Sequence, residues 1–154
     1  MTVPHYIPGG GDSVKKLCTI DANTLQSVDY EPISFLVEDL LPPGLHLLAG
    51  APKIGKSWLA LWLCLQVAQG QPLWNFSTRP CEVLYLCLED SFQRIQSRLF
   101  DLTEDAPSTL HFAVMSEQLH NGLVDQMEHF LQEHPTTGLV VIDTLQRIRS
   151  TGNE

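Results

Sequence analysis

The chain has 154 residues, is 44% hydrophobic and 18% charged, and carries a formal net charge of −9. These values predict one compact globular domain and exclude a largely disordered chain. The acidic balance argues against tight binding of nucleic acid by this chain alone, since nucleic-acid binders normally present a basic patch. No apolar run reaches the roughly 18 residues of a membrane span, and no secretory signal opens the chain, so we expect a cytoplasmic protein.

The cysteines and histidines show no metal-binding spacing. There is no CxxC pair, and Cys64 and Cys87 lie inside apolar runs, where buried free thiols are common. His129 and His134 are 5 positions apart, which places them on different faces of a helix. We therefore expect the cysteines to be packing residues and predict no zinc site.

The first half of the chain leads from a loose arm into strand and helix patterns. Proline and glycine are frequent near the start, which predicts a flexible arm at residues 1–22 before the globular domain at residues 23–154. Short strands are predicted at residues 33–37 and 45–49. Residues 57–69 then form a helix pattern that is apolar on all sides, so we expect this helix to be buried.

The second half alternates between strand and helix patterns. An almost unbroken apolar run at residues 83–88 is typical of a parallel strand that is covered on both faces. Ser91 can cap the helix that follows. The later elements are a strand at 110–115, a helix at about 123–133 and a strand at 139–142. This order predicts an α/β fold with a mostly parallel sheet between two helix layers and a ligand site at the carboxyl ends of the strands.

Residues 50–57 read GAPKIGKS and match the pattern GxxxxGK[ST] between a predicted strand and a predicted helix. Gly50 and Gly55 let the backbone curl so that its N–H groups form an anion-binding nest at the positive end of the helix. Lys56 can reach the β- and γ-phosphates, and the Ser57 hydroxyl can bind the Mg²⁺ that bridges them. The sequence therefore predicts a site for Mg²⁺ and ATP, with nucleotide contacts from Gly50, Ala51, Pro52, Lys53, Ile54, Gly55, Lys56, Ser57 and Trp58.

Two acidic residues follow predicted strands at the same sheet edge. Asp143 ends the run at 139–142, so its carboxylate is expected near Ser57 and the metal. Glu89 ends the run at 83–88 and is expected to orient or deprotonate water. Its neighbour Asp90 could cap the next helix or exchange roles with it, and Glu89 is the preferred catalytic residue together with Lys56.

These segments resemble a known family. GLHLLAGAPKIGKSWLAL, VLYLCLED with its RIQSRL helix, and GLVVIDTLQRIR are similar to the RecA-type P-loop ATPase core of RepA-like hexameric replicative helicases from plasmids and mobile elements. The resemblance covers about residues 30–150. It implies that the acid at Glu89 is the catalytic base, that Lys56 holds the phosphates in the Walker A motif, and that Asp143 of the Walker B motif supports Mg²⁺.

The resemblance also implies more chain than is present. RecA-type cores continue past the Walker B strand with a strand that lies between the Walker A and Walker B strands, and then with DNA-binding loops. We therefore expect a truncated form whose sheet is incomplete at the C-terminus. The full-length protein is expected to form a ring, a hexamer by resemblance, and to bind single-stranded DNA.

Two other functions fit the motif. A small-molecule kinase of the P-loop type needs a basic lid, and the few basic residues after the loop make a lid hard to place. A nucleotide-binding regulatory module without turnover fits an acidic chain with an incomplete core. The binding of ATP is common to all three hypotheses, whereas turnover is not.

Overall fold

The computed structural model of the protein describes residues 17–149. The chain divides into two compact units, which meet in sequence between Pro32 and Ile33. In the first unit a short helix, α1 (Ala22–Ser27), is capped by Asp21, whose carboxylate accepts a hydrogen bond from the Thr24 N–H. Most of the predicted arm at residues 1–22 lies outside the described residues, so that boundary stays a prediction.

The second unit contains a parallel sheet of three strands. Its middle strand hydrogen-bonds to one neighbour on each side, in the order β2-β1-β3. No helix in the described part of the chain is long and apolar enough to cross a membrane. The elements in chain order are α2 (Lys56–Gln69), β1 (Glu82–Cys87), α3 (Phe92–Leu102), β2 (Leu110–Ala113), an irregular kinked turn (Leu119–Leu123), α4 (Val124–Glu133), β3 (Thr137–Asp143) and α5 (Leu145–Ile148).

Helices cover both faces of the sheet. Alternate side chains of a strand point to opposite faces, and nearly all of those on β1 are buried. On one face, Tyr85 and its neighbours pack against residues of α2 and α3. On the other, Leu84 and Leu86 pack with Leu123 and Ile148. The predicted α/β fold with a parallel sheet between two helix layers is confirmed.

Helix α2 is the main apolar element of the first face. It begins after Gly55 and ends at Gly70, both of which have a left-handed backbone, with φ of 94° and 64°. Its buried residues are Ala60, Leu61, Cys64, Leu65 and Val67. The expectation that the helix is buried all round is wrong at its first turn, because Trp58 remains 41% exposed.

Two predicted strands are absent. Within residues 33–37, Val37 forms only isolated bridges to Leu41 and Thr78. Residues 45–49 have no regular structure and expose their leucines. A strand requires a neighbour that completes its backbone hydrogen bonds, and residues 45–49 pair with none of the described strands. The strand that the family resemblance places between this segment and β3 has no counterpart within residues 17–149.

The described cysteines are free. Cys64 and Cys87 are buried as expected, whereas Cys18 is exposed. Burial raises the pKa of Cys64 well above its usual value. Burial, together with the nearby charge of Asp143, raises the pKa of Cys87 to about 12. Both buried thiols therefore stay protonated at neutral pH and act as small apolar residues.

Candidate nucleotide-binding site

The loop at residues 50–57 bends sharply into α2. Gly55 immediately precedes the helix with φ of 94°, a conformation that a residue with a Cβ rarely adopts. At Gly50, an added Cβ would lie 2.5 Å from Cδ1 of Ile54, a contact that this exposed and flexible side chain can relieve by moving its end. Gly55 supplies no side-chain cap, so the first N–H groups of α2 are left to bind an anion.

The ammonium group of Lys56 lies against this loop. Its Nζ donates hydrogen bonds to the carbonyl oxygens of Gly50 at 2.9 Å and Ala51 at 2.8 Å. An ammonium group has three donors, so one remains beyond these two loop contacts. The remaining donor and the positive charge suit a phosphate oxygen held against the same loop.

Tyr85 connects the start of α2 with the end of β3. Its hydroxyl donates a hydrogen bond of 2.9 Å to Oδ2 of Asp143 and lies 3.4 Å from the carbonyl oxygen of Ser57. Burial, and secondarily the charge of Asp143, raises the pKa of Tyr85 far above its usual value, so the hydroxyl remains a neutral donor. The Tyr85 hydroxyl therefore lies between the backbone of Ser57 and the carboxylate of Asp143, the two residues predicted to bind the metal.

The oxygen atoms at this edge of the sheet fit Mg²⁺. A serine hydroxyl and a carboxylate are hard oxygen ligands of the kind that this ion prefers. Asp143 uses Oδ2 for Tyr85 and makes no hydrogen bond through Oδ1 among the described residues. Ser57 and Asp143 would hold the ion, which would neutralise charge on the β- and γ-phosphates.

Glu89 lies at the same edge of the sheet, just beyond β1. The preceding N–H, that of Leu88, donates to the carbonyl oxygen of Asp143 at 2.8 Å, which joins the two strand ends. The Glu89 carboxylate is about half exposed and pairs with Arg147 at 3.3 Å. An exposed pair of this kind is weak, so Glu89 can exchange this partner for another.

Asp90 is engaged differently from Glu89. Its carboxylate is mostly buried and forms ion pairs with Arg94 at 3.1 Å and with Arg98. These contacts and the Ser91 side chain, which accepts from the Arg94 N–H at 3.3 Å, fix the start of α3. Asp90 therefore stabilises the helix start, as the alternative reading of its role allowed.

Trp58 and Tyr85 show where the sequence interpretation was incomplete. The Arg98 guanidinium lies over the Trp58 ring, 5.5 Å from its centre, so this half-exposed residue has a cationic neighbour beside the phosphate loop. Tyr85 was not recognised because it lies within an apolar strand. The available signal was its hydroxyl, since a buried tyrosine hydroxyl requires a hydrogen-bond partner.

Comparison with known proteins agrees with this geometry. The family model of the AAA domain matches residues 14–154, which is most of the chain. No curated protein and no solved structure matches significantly. The matched region contains the phosphate loop, α2 and the acidic residues at the strand ends, and ATPases of this family generally use ATP and Mg²⁺. The chain belongs to the AAA domain family and is a P-loop ATPase.

Proposed function

We propose that this chain is the ATP-binding and ATP-hydrolysing core of a RepA-like replicative DNA helicase of the cytoplasm. Hydrolysis is supported by one observation: the Tyr85 hydroxyl contacts both the backbone carbonyl of Ser57 and the carboxylate of Asp143. This contact brings the start of the phosphate-loop helix and the carboxylate at the end of β3 to the same point, where a Mg²⁺ triphosphate needs both.

Each group at the site has a separate task in this proposal. The loop N–H groups and Lys56 bind the β- and γ-phosphates, and Ser57 and Asp143 hold Mg²⁺. Glu89 orients the attacking water and takes up its proton. For this step the carboxylate leaves Arg147, and separating an exposed ion pair costs only about 0–1 kcal/mol.

The helicase part rests on the resemblance of three segments around the phosphate loop, β1 and β3. Replicative helicases of the RepA-like type work as homo-oligomeric rings on single-stranded DNA, and we propose the same partners for this protein. The net charge of −9 disfavours tight DNA binding by a single copy of this chain, so in this proposal a local loop or the assembly of several copies supplies the basic surface.

Two substitutions test the ATPase. Lys56→Ala removes the ammonium group that lies against the loop carbonyls, and we expect loss of ATP binding in a titration with a fluorescent ATP analogue. Glu89→Gln keeps the size of the side chain but removes the base, so we expect retained binding with turnover reduced by about 100-fold or more. Glu133→Gln, on the exposed end of α4, is the matched control and should change neither. Retained binding in Lys56→Ala would contradict the assignment of the loop.

The helicase assignment needs a separate measurement with DNA. Single-stranded DNA should increase ATP turnover, and ATP should drive strand displacement on a forked duplex. Turnover that no DNA stimulates in any assembly state contradicts the motor, and transfer of phosphate to a small molecule indicates a kinase instead. Binding without turnover in the wild type indicates a regulatory module.

A further inference from the structure

Three side chains converge at the sheet edge opposite the phosphate loop. Glu82 is the first residue of β1, His111 is the second residue of β2, and His134 immediately follows α4. Oε1 of Glu82 lies 3.3 Å from Nε2 of His111 and 3.2 Å from Nδ1 of His134. One carboxylate oxygen and two ring nitrogens therefore lie within 4.8 Å of one another.

From this cluster we propose a zinc site with Glu82, His111 and His134 as its protein ligands. Two imidazoles and one carboxylate are a ligand set of catalytic and open zinc sites, in which a water or another ligand takes the fourth position. Imidazole nitrogens favour Zn²⁺ over Mg²⁺, which prefers oxygen ligands. The oxygen ligands proposed for Mg²⁺ lie at the other end of the sheet.

The two distances from the Glu82 oxygen to the imidazole nitrogens fit a tetrahedral ion. Bonds of about 2.0–2.2 Å from zinc to nitrogen and oxygen place neighbouring ligand atoms about 3.3–3.5 Å apart. The two measured separations from Glu82 Oε1 are 3.2 and 3.3 Å. Both contacts also have the geometry of hydrogen bonds from the imidazoles to Oε1, and a bound zinc ion would replace these two bonds.

The surroundings orient these ligands. The Thr136 hydroxyl donates to Oε2 of Glu82, which leaves Oε1 directed at the two histidines. The Phe130 ring stacks on His134, with ring centres 4.3 Å apart, and meets His111 edge-on at 5.3 Å. Hydrogen bonds to a ligating carboxylate and an apolar wall beside the imidazoles are features that hold a metal site in shape.

Such a site would tie together three separate parts of the fold. The ion would join the start of β1, the start of β2 and the connection from α4 to β3. The parallel strands run from this edge towards the phosphate loop. Each residue of β1 adds about 3.3 Å to the distance between the two sites. Zinc at this edge therefore stabilises the sheet and takes no part in nucleotide binding.

The test measures zinc affinity of the metal-free protein, without nucleotide, by competition with a chromogenic chelator. We expect one equivalent to bind, and at least about 10-fold weaker binding in Glu82→Gln, His111→Gln and His134→Gln. His129→Gln is the matched control, because His129 is exposed and lies on α4 near the site. Asp143→Asn excludes binding at the magnesium position, and both controls should retain the wild-type affinity.

Two spectroscopic readouts decide the matter even where a ligand variant fails to fold. Co²⁺ in the wild-type protein should give the intense visible bands of a tetrahedral ion with nitrogen and oxygen ligands, and a sulfur-to-cobalt band would assign the metal to cysteines instead. In NMR spectra, Zn²⁺ should shift the ring signals of His111 and His134 and leave those of His129 unchanged. Equal zinc affinity in all variants, or shifts at other histidines, would overturn the proposal.

Discussion

Two apolar segments flank the phosphate loop, and one is buried whereas the other is exposed. The helix after the loop, α2, buries most of its length, and Leu65 is 1% exposed. In the segment before the loop, residues 45–49, Leu45 is 93% and Leu47 78% exposed. Both segments are rich in leucine, so composition does not explain the difference. A helix completes its backbone hydrogen bonds internally and needs only a surface to cover, whereas a strand also needs a neighbouring strand.

We expect the greatest difference in the free energy of unfolding between two variants that each replace one leucine, one from each segment. Leu65→Ala removes a fully buried side chain and leaves a cavity between α2 and the sheet, so the free energy of unfolding should fall by about 2–5 kcal/mol. Leu47→Ala, the same substitution in the exposed segment, should change it by less than about 0.5 kcal/mol. Urea unfolding of both variants followed by circular dichroism measures the two values.

The same two variants show whether residues 45–49 are also exposed in solution. If Leu47→Ala were as destabilising as Leu65→Ala, residues 45–49 would be packed in solution, and the segment would form the strand that the sequence pattern predicts. The free energy of unfolding falls linearly with urea concentration. If the slope of this line in both variants equals that of the wild type, the extent of the folded core is unchanged.

A smaller effect is expected where the two segments are bounded by glycine. Gly70 ends α2 with φ of 64°, and an added Cβ would lie 3.1 Å from Cβ of Pro80. We expect Gly70→Ala to lower the free energy of unfolding by about 1–2 kcal/mol, because alanine is strained in a left-handed conformation. The measurement is again urea unfolding.

Gly44 provides the control for this substitution. It precedes the exposed segment with φ of 130°, and nothing lies within 4 Å of an added Cβ. Alanine is strained at this φ as well, but the segment that follows is exposed and its backbone can relax, so Gly44→Ala should cost less than Gly70→Ala. A larger cost at Gly44 would show that the connection before residues 45–49 is held as firmly as the end of α2.

The sequence predicted those features that depend on local pattern. The apolar run of β1 and the Ser91 cap of α3 appear as expected, because each needs only residues that are near in sequence. The strand at residues 45–49 was predicted wrongly because its formation depends on a partner that a local pattern does not reveal. Glu82 and His134 were not associated because they are 52 positions apart and meet only through the sheet register.

The candidate site divides in the same way. The glycine and lysine positions of the loop follow from a contiguous motif, and α2 begins where the motif places it. The neighbourhood of Ser57 and Asp143 followed from the general rule that parallel strands end at one edge. The hydroxyl that links them belongs to a third element, β1, and no spacing in the sequence marks Tyr85 for that role.

The smallest expected change in stability tests how α2, unlike residues 45–49, is attached to the sheet. Tyr85→Phe keeps the buried ring but removes the hydroxyl that reaches Asp143 and Ser57. The free energy of unfolding should fall by about 0.5–1.5 kcal/mol, the usual value of one hydrogen bond. The Asp143 carboxylate also loses the donor that orients it, so the Mg²⁺ concentration for half-maximal ATP turnover should rise by about 10-fold.

Tyr30→Phe, at an exposed tyrosine, is the matched control and should leave both quantities unchanged. Because the raised pKa of Tyr85 keeps its hydroxyl protonated, the difference between the two variants should be the same at pH 7 and pH 9. A loss of stability in Tyr85→Phe without any change in the Mg²⁺ requirement would show that the hydroxyl secures the helix start but does not position the Asp143 carboxylate.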